Sequence, residues 1–469
     1  MSSRLLAHLR GPGLPWLLFG LILAAGLLLR LGAVNGSVVD SPVRGDARSY
    51  FFYAVNLIED GVYSRAMPPV FGGAAVTADA DAHPGYPLFV SALLTDSWRA
   101  GTTAGVSSSI VRVIDAQTLL SCLAVLAVFL IGRRLAGNGV GLAAAALTAL
   151  SPHLVNVNIY LLTEPLFITL FWVALALLAR ATTQPDARAL MLAAGLGLGL
   201  ATLVRPTTQY LPLLLAGLFL LSPRRDWRQA LLLLAGFLVP MLAWTVRNLV
   251  ATGSSSGSLG LVATIQVGIY PDFMYNGIPA SRGVPYHFDP VLTDYSSLQR
   301  TLSVLAERFR AAPGEYLHWY LIGKPLALFH WETIPIGTET AQLLVSGDIY
   351  QYPTPVTPYA QHPAYVASYI VSKLLHVPLL ALAVAGSVLA WVPGLRGTWG
   401  AGLPLMRLLA LTLAYAVGIH MIGSPFPRYS VPFLPLAYLL ACATAAGLWR
   451  YWRTRHANGP LPSAGAAGD

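Results

Sequence analysis

The sequence predicts an all-α polytopic membrane protein of about ten (10–13) transmembrane helices, with two large extracytoplasmic loops that carry surface helices. The first observation is composition, because 55% of the 469 residues are hydrophobic and 10% are charged, whereas soluble domains carry about 25% charged residues. The second is a set of ten apolar segments long enough, or nearly long enough, to cross a bilayer. The third is the placement of arginine at particular ends of those segments.

The expected spans follow from length. A helix needs about 20 apolar residues to cross the hydrocarbon core. Segments that meet or approach this length lie near residues 14–34, 112–132, 139–157, 161–180, 189–204, 208–222, 229–250, 372–393, 402–422 and 430–449. Two further apolar stretches, at 84–95 and 316–330, would raise the number of spans if they also cross.

Basic residues set the expected orientation. The net charge is +9, and all but two of the 29 basic residues are arginine. Clusters lie at the ends that we expect to be cytoplasmic: Arg4, Arg10, Arg133, Arg134, Arg224, Arg225, Arg228, Arg450, Arg453 and Arg455. Because Lys and Arg are retained on the cytoplasmic side, this pattern puts both termini inside a multi-pass plasma (inner) membrane protein. Topology thus explains the positive charge, which argues against a nucleic-acid partner.

Two long polar segments interrupt the spans, and loops beyond about 15 residues are usually functional or disordered. The first outer loop, 35–111, contains a predicted surface helix at 47–60 that ends before Gly61. The second is a variable extracytoplasmic region, 256–371. The expected units are therefore a transmembrane module (1–255), that variable region, C-terminal transmembrane helices (372–450) and a disordered cytoplasmic tail (451–469).

Three arginines lie where the positive-inside rule does not put them. Arg205, Arg247 and Arg428 each fall at the expected outer end of a span. Arginine stays charged and binds phosphate through two parallel hydrogen bonds, so an anionic ligand at the outer surface would explain all three. For any single arginine of the three, the alternative explanation is that its side chain extends to the lipid headgroups. Lys324 is a weaker candidate for the same phosphate.

Two acids are expected on the same side as these arginines. Asp46 precedes the predicted surface helix, where it could be an N-cap, a general base or a ligand anchor. Glu164 begins a span and is followed by Pro165, a pattern typical of a first helical turn. An ionisable residue at the edge of the hydrocarbon is also a functional candidate, because it is costly there.

Other polar and aromatic residues give weaker indications. His83 lies near Asp79 and Asp81, but no spacing is diagnostic of a metal site; no metal ligand is assigned, and a divalent cofactor is left open. Cys122 and Cys442 lie in apolar runs and are predicted to be small buried hydrophobic residues. The aromatic residues of the second loop region could stack on sugars or form an interfacial belt; they are Tyr270, Tyr275, Tyr286, Trp331, Tyr350, Tyr352 and Tyr359.

The order of several motifs resembles a known class. The motifs are GDARSYFFYAVNLIEDGVYS (45–64), HPGYPLFVSALL (83–94), ALSPHLVNVNIYLLTEPLF (149–167), LGLATLVRPTTQYLPLLL (198–215), PMLAWTVRNLVATG (240–253) and PRYSVPFLPLAYLL (427–440). Together they resemble the GT-C class of multi-span glycosyltransferases that use lipid-linked phosphosugars. Within it, the chain is similar to bacterial relatives of protein O-mannosyltransferases and of the lipid A aminoarabinose transferase.

The resemblance implies a polyprenyl-phosphate-linked sugar as donor, transfer with inversion on the extracytoplasmic face, and Asp46 as the catalytic aspartate of the first loop. Many members have two adjacent acids at that point, whereas Ala47 follows here. On physical grounds we expect Arg205, Arg247, Arg428 and Lys324 to bind the donor phosphate. We place the other site residues around them: Arg48, Tyr50, His83, Glu164 and Tyr429.

Other functions fit parts of the pattern. The acceptor could be lipid A, a polysaccharide, a glycolipid or a protein. A flippase or transporter would place its polar residues near the bilayer midplane, whereas here they gather at one surface. A polymerase or ligase of surface polysaccharide would transfer a whole glycan, and a non-catalytic assembly partner would keep the fold without the reaction.

Overall fold

A computed structural model describes residues 13–37, 39, 42–184, 187–221, 226–255, 259–292, 297–331, 362–394 and 399–457. Over these ranges the secondary structure is helical, and they contain no strand. The helices of the first half are α1 Leu14–Asn35, α2 Asp46–Glu59, α3 Gly85–Leu93, α4 Thr103–Ser109, α5 Val111–Ala136, α6 Asn138–Leu150, α7 Pro152–Asn156, α8 Glu164–Ala181, α9 Arg188–Val204 and α10 Leu211–Leu220.

The second half continues with longer spans and short connecting helices. They are α11 Trp227–Thr252, α12 Leu259–Gly268, α13 Leu298–Ala311, α14 Pro313–His318, α15 Lys324–Leu328, α16 Pro363–Leu389, α17 Leu403–Ile422, α18 Pro427–Ser430 and α19 Leu434–Ala457. A turn of π-helix, Trp319–Gly323, joins α14 to α15.

The described helices confirm a polytopic membrane protein, but not the number of spans. Each of the ten predicted segments is largely helical, yet seven helices are long and apolar enough to cross a bilayer, or eight if one bent pair is a single span. The bent pair, α6 with Pro152–Ile159, turns by 53°. The break is at Ser151, because Pro152 has no amide hydrogen with which to continue the hydrogen-bond ladder. Two other predicted spans fall short, because α9 has 17 residues and α10 has 10.

The interior of the described bundle is formed by α5, α8, α9 and α19, with α6 and α11 packed on them. Glycines permit the closest crossings. A Cβ at Gly195 of α9 would lie 2.1 Å from the carbonyl oxygen of Leu233 in α11, and one at Gly236 would lie 2.2 Å from that of Leu192. Small residues at helix interfaces let backbones approach closely in membrane proteins.

A buried arginine ties the first helix to the bundle. Arg30 of α1 is 2% exposed, and it donates hydrogen bonds to Ser121 Oγ of α5 at 3.0 Å and to the Ala149 carbonyl of α6 at 2.8 Å. Because the guanidinium has several donors, it can bond to a side-chain hydroxyl of one neighbouring helix and a backbone carbonyl of another at once. The charged side chain therefore has a structural role inside the first span.

The predicted surface helix is present as α2, and Gly61 follows it with φ +66°, as expected for a residue just beyond a helix. The capping interpretation of Asp46 is wrong. Gly45 is the N-cap, and Asp46 is the first helical residue without a capping hydrogen bond. The preference of Asp for the N-cap position is overridden here by an ion pair between Asp46 and the distant residue Arg428.

Two boundaries also differ from expectation. The helix α16 begins at Pro363, well before the predicted residue 372, because proline suits the first turn of a helix. At the other end, α19 continues to Ala457, so residues 451–457 are helical and not part of a disordered tail. Arginines near a helix C-terminus complement its dipole. The predicted disorder of residues 458–469 lies outside the described residues.

Candidate active site

Four charged side chains from distant parts of the sequence meet in one cluster, which we name the charge cluster: Asp46, Glu164, Arg205 and Arg428. Arg428 Nη2 lies 3.0 Å from Asp46 Oδ2, and Arg428 Nε lies 3.0 Å from Glu164 Oε1. Arg205 Nη1 lies 2.7 Å from the same Glu164 oxygen. The order Asp46, Arg428, Glu164, Arg205 is thus an unbroken alternation of negative and positive charge.

Helix ends bring these four residues together. Asp46 and Glu164 are the first residues of α2 and α8, Arg205 directly follows α9, and Arg428 lies in the short helix α18. The prolines Pro165, Pro206 and Pro427 stand beside three of them and fix where the helices start or stop. The sequence therefore places all four at one end of the bundle.

Burial distinguishes the two carboxylates. The Asp46 side chain is 40% exposed, whereas that of Glu164 is fully buried between two guanidinium groups. Thr163 Oγ1 completes the surroundings of Glu164, since it accepts a hydrogen bond from Arg205 Nη1 at 3.0 Å and donates one to Glu164 Oε2 at 3.2 Å. Only Asp46 of the two acids is accessible to a substrate.

Two buried nitrogens of Arg428 make no hydrogen bond with any residue that the structure describes. They are Nε, which is ion-paired with Glu164, and Nη1. Buried donors are almost always satisfied, and leaving one without a partner costs about 1–3 kcal/mol. Arg428 also lines a small cavity of about 10 Å³, room for one water-sized oxygen. The arrangement suits an oxygen acceptor from a ligand or from solvent.

Aromatic residues enclose the cluster. The Tyr429 ring lies 5.3 Å from Arg205 Cζ and 5.7 Å from Arg428 Cζ, which are cation–π distances. Tyr50 of α2 packs edge-on against Tyr86 at 5.1 Å. Burial, followed by the negative charges of Asp46 and Glu164, raises the pKa of Tyr50 above its ordinary value. The Tyr50 hydroxyl therefore stays protonated and can donate a hydrogen bond.

The two remaining first-loop candidates lie differently. Arg48 is exposed on α2. His83 is half-buried, and burial lowers its pKa. Two residues further on, a Cβ at Gly85 would lie 2.9 Å from the Leu203 backbone, so this segment approaches the end of α9 that carries Arg205. No contact between His83 and the charge cluster appears among the described residues.

The structure gives Arg247 a different position from the other arginines. Its Nη1 donates to the Asp79 carbonyl oxygen at 2.7 Å, and its Nη2 donates to the Tyr63 carbonyl oxygen at 3.4 Å. The guanidinium also lies over the rings of Tyr63 and Trp244, at 5.0 and 4.9 Å. These contacts hold the first loop to α11, and no contact to the charge cluster appears among the described residues.

Lys324 is similarly occupied. Its side chain is fully buried, and Nζ donates to the carbonyl oxygens of Met421 at 2.7 Å and Gly423 at 2.9 Å. These carbonyls belong to the end of α17, where a cation complements the helix dipole. Lys324 therefore caps the C-terminus of α17, which is a structural role, and its contacts do not form a phosphate site.

Sequence reasoning missed several supporting residues. Thr163 was overlooked beside Glu164. Gln117 of α5 is fully buried, accepts from the Tyr86 hydroxyl at 2.9 Å, and donates to the carbonyls of Asn158 and Tyr160 at 3.0 and 2.8 Å. A polar amide within an apolar span is a signal that could have identified Gln117, because such residues need partners.

No group of three or more His, Cys, Asp or Glu residues suited to a metal ion occurs in the part of the chain that the structure describes. The acids near His83 have other partners: Asp79 accepts from the Tyr53 hydroxyl at 2.5 Å and from the Arg65 amide at 2.6 Å, and Asp81 pairs with Arg65 at 3.4 Å.

Three of the aromatic residues predicted for the second loop region, Tyr350, Tyr352 and Tyr359, lie outside the described residues.

Comparison with protein families supports the class suggested by the motifs. Residues 97–247 match the family described as dolichyl-phosphate-mannose-protein mannosyltransferase. This confirms the resemblance to the GT-C class of membrane glycosyltransferases. The matched segment contains Glu164, Arg205 and Arg247, whereas Asp46 and Arg428 lie outside it. No curated protein matches the chain.

Solved structures give more distant similarities. The oligosaccharyltransferase AglB of Archaeoglobus fulgidus, in complex with an inhibitory peptide and a dolichol-phosphate, is 13% identical, with 94% of this chain and 52% of that chain covered and a TM-score of 0.45. The oligosaccharyltransferase of that organism in the apo form is 14% identical over 97% and 53%, with a TM-score of 0.49. ArnT of Cupriavidus metallidurans, bound to undecaprenyl phosphate, is 14% identical over 94% and 81%, with a TM-score of 0.35. This chain spans about half the length of the archaeal enzymes.

Proposed function

We propose that this protein is an inverting glycosyltransferase that moves a hexose or pentose from a polyprenyl-phosphate donor to an acceptor hydroxyl, on the extracytoplasmic face of the plasma membrane. The observation that carries the proposal is the charge cluster, in which Arg428 links an exposed carboxylate to a buried one and has a buried Nη1 that makes no hydrogen bond with a described residue. The family match over residues 97–247 supports the reaction class.

Asp46 is the proposed general base. An acceptor hydroxyl is a poor nucleophile, and a positioned carboxylate that takes its proton contributes typically about 10²–10⁴-fold to the rate. Asp46 is the exposed carboxylate of the cluster, and its ion pair with Arg428 Nη2 at 3.0 Å fixes its direction. The beginning of α2 supplies the rigid support that such a base needs.

Arg428 and Arg205 are the proposed donor-phosphate ligands. In the reaction, the acceptor oxygen bonds to the anomeric carbon and the bond from that carbon to the phosphate oxygen breaks. The electron pair leaves with the phosphate, and the acceptor proton goes to Asp46. Negative charge therefore grows on the leaving phosphate, and preorganised cations stabilise it. Arg428 Nη1, which is buried and makes no hydrogen bond with any described residue, is the donor that we assign to this phosphate.

Inversion follows from the number of accessible carboxylates. Retention by double displacement needs a carboxylate nucleophile as well as an acid–base residue. Glu164 is fully buried and paired with two arginines, so it cannot reach an anomeric carbon without losing both partners. With Asp46 acting as base, a single displacement is the mechanism that these side chains support.

The test is sugar transfer by the full-length protein in proteoliposomes. Radiolabelled polyprenyl-monophosphate sugars are supplied one at a time, with a membrane extract as acceptor source. We expect label to move from one donor to acceptor material, and NMR of the product to show inverted anomeric configuration. Transfer only from a lipid-diphosphate glycan would support a ligase instead. Donor translocation without any new glycosidic bond would support a flippase, and neither activity in folded protein would refute the proposal.

A further inference from the structure

The second loop region contains a cleft that the proposed reaction has not used. Its volume is about 570 Å³, within the range of about 300–1,000 Å³ that is usual for ligand pockets. Residues 270–272 and 274–277 line one wall, with Phe273 behind it, and the end of α13 with the start of α14 forms the other. The structure thus provides room for a ligand at a place separate from the charge cluster.

The wall formed by residues 270–277 has an unusual backbone. Three residues that are not glycine have positive φ: Asp272 at 50°, Phe273 at 56° and Asn276 at 46°. Asparagine and aspartate tolerate this conformation, but a bulky aromatic residue there is a genuine outlier. Strained backbone of this kind persists where the surrounding structure enforces it, and it clusters at ligand sites.

A buried network holds the cleft open. The carboxylate of Asp289 accepts from the Tyr270 hydroxyl at 2.7 Å and from the Val291 amide at 2.8 Å, and it pairs with Arg308. The Arg308 guanidinium lies 4.8 Å from the centre of the Tyr270 ring. Because Asp289 has these partners, the acids that the described lining leaves for a ligand are Asp272 and Glu315, both exposed.

The lining indicates the ligand class. Three carboxylates and one guanidinium (Asp272, Asp289, Glu315 and Arg308) give the cleft a net negative charge, which disfavours a phosphate. Asp272 and Glu315 can accept hydrogen bonds, and the Asn276 amide can both donate and accept. Tyr275 and Tyr316 add apolar ring surface. This set suits a ligand with many hydroxyls and apolar C–H faces, which is a saccharide.

A continuous aromatic path connects the cleft with the charge cluster. Phe273 stacks on Phe426 with ring centres 4.7 Å apart and planes at 12°. Phe426 lies 5.6 Å from Tyr429, the residue whose ring covers Arg205 and Arg428. The strained wall of the cleft is therefore packed against the residues that surround the cluster.

We propose that this cleft binds a saccharide portion of the acceptor, so that an acceptor hydroxyl is presented toward the charge cluster. The inference rests on the proposed glycosyl transfer, which it deepens by naming the acceptor class as a glycan or glycolipid. It also gives the second loop region a specific role, because Asp272, Asn276 and Glu315 bind the acceptor and Phe273 positions that wall against Phe426.

The test measures binding separately from transfer. Full-length protein in lipid nanodiscs, free of sugar detergents, is titrated with methyl glycosides of mannose, glucose and galactose by saturation-transfer NMR. The double variant Asp272→Asn/Glu315→Gln should raise the dissociation constant of the glycoside that binds by about 10-fold or more, since each change weakens hydrogen bonds to a charged group. Glu307→Gln, an exposed acid of α13 outside the cleft, should leave binding unchanged.

Each outcome has a distinct meaning. Asp46→Asn should abolish transfer while glycoside binding persists. Binding and transfer are therefore measured independently, and a failure of the catalytic proposal would not by itself overturn the proposal of a saccharide site. In transfer assays, the double variant should raise the acceptor KM and leave the donor KM unchanged. Binding that is absent, or that is equal in wild type and double variant, would overturn the proposal. Tetralysine and inorganic phosphate are added as competitors. If tetralysine binds more tightly than the glycoside and displaces it, while phosphate does not, the cleft would be assigned to a polypeptide instead.

Discussion

At the scale of single residues, Glu164 organises the charge cluster without direct access to a substrate. Sequence reasoning placed Asp46, Glu164, Arg205 and Arg428 on the same side of the membrane, because charged residues at helix ends stand out in an apolar chain. It could not show that Arg428 bridges Asp46 and Glu164, since hydropathy describes each helix and not its neighbours. It also could not show that Arg247 and Lys324 have backbone carbonyls as partners.

Replacing Glu164 should be strongly destabilising. Glu164→Leu leaves the guanidinium groups of Arg205 and Arg428 without their shared carboxylate, and breaking a buried pair costs roughly 3–5 kcal/mol. We expect a markedly lower midpoint of thermal unfolding in detergent. The control is Glu59→Leu, which removes a surface ion pair with Arg99 and should cost at most about 1 kcal/mol. Equal midpoints for the two variants would show that the pairing of Glu164 is not structural.

At the scale of helices, the contact of α9 with α11 depends on glycine. Gly195→Ala would place a methyl group 2.1 Å from the Leu233 carbonyl oxygen, so the helices must separate, and such overpacking typically costs about 1–3 kcal/mol. We expect a lower thermal midpoint and slower transfer, because α9 leads directly into Arg205. Gly217→Ala in α10 meets no atom within 4 Å and serves as the control. A Gly195→Ala protein with an unchanged thermal midpoint and transfer rate would contradict the close crossing of α9 and α11.

The contact between α11 and the first loop gives a separate prediction. Arg247→Ala removes the hydrogen bonds to the Asp79 and Tyr63 carbonyls, so residues 62–82 should open more often. Hydrogen exchange of this segment should be about 10-fold faster, as expected for the loss of roughly 1.4 kcal/mol of local stability. Arg228→Ala, at the opposite end of α11, should not change it. If Arg247→Ala leaves the hydrogen exchange of this segment unaltered but weakens donor binding, Arg247 would be a phosphate ligand as the sequence analysis expected.

The helices themselves were the most predictable part of the structure. Hydrophobic runs located each of the ten segments, because burial in lipid or protein requires continuous apolar surface. The errors came from other physical causes: Pro152 bends one predicted span, and α9 and α10 are short. The cleft could not be predicted at all, since positive φ at Phe273 and the Tyr270–Asp289–Arg308 network depend on tertiary contacts.

At the scale of the whole molecule, the account requires the charge cluster and the first loop to face the extracytoplasmic side. In a background with Cys122 and Cys442 replaced by alanine, we expect a membrane-impermeant maleimide to label Asp60→Cys in intact cells. Gly139→Cys, in the first turn of α6 at the opposite end, should react only after the cells are opened. Both positions are exposed, so access to reagent reports sidedness. The reverse pattern would invert the proposed topology.

The most direct test of the central claim is the rate of sugar transfer by Asp46→Asn, compared with wild type and with Asp60→Asn at the far end of α2. The substitution keeps the size of the side chain and removes the base. We predict a loss of at least about 10²-fold in kcat, with a thermal midpoint that falls less than that of Glu164→Leu because Asp46 is partly exposed, while Asp60→Asn transfers normally. Transfer by folded Asp46→Asn at a rate close to wild type would contradict the assignment of this cluster as the active site.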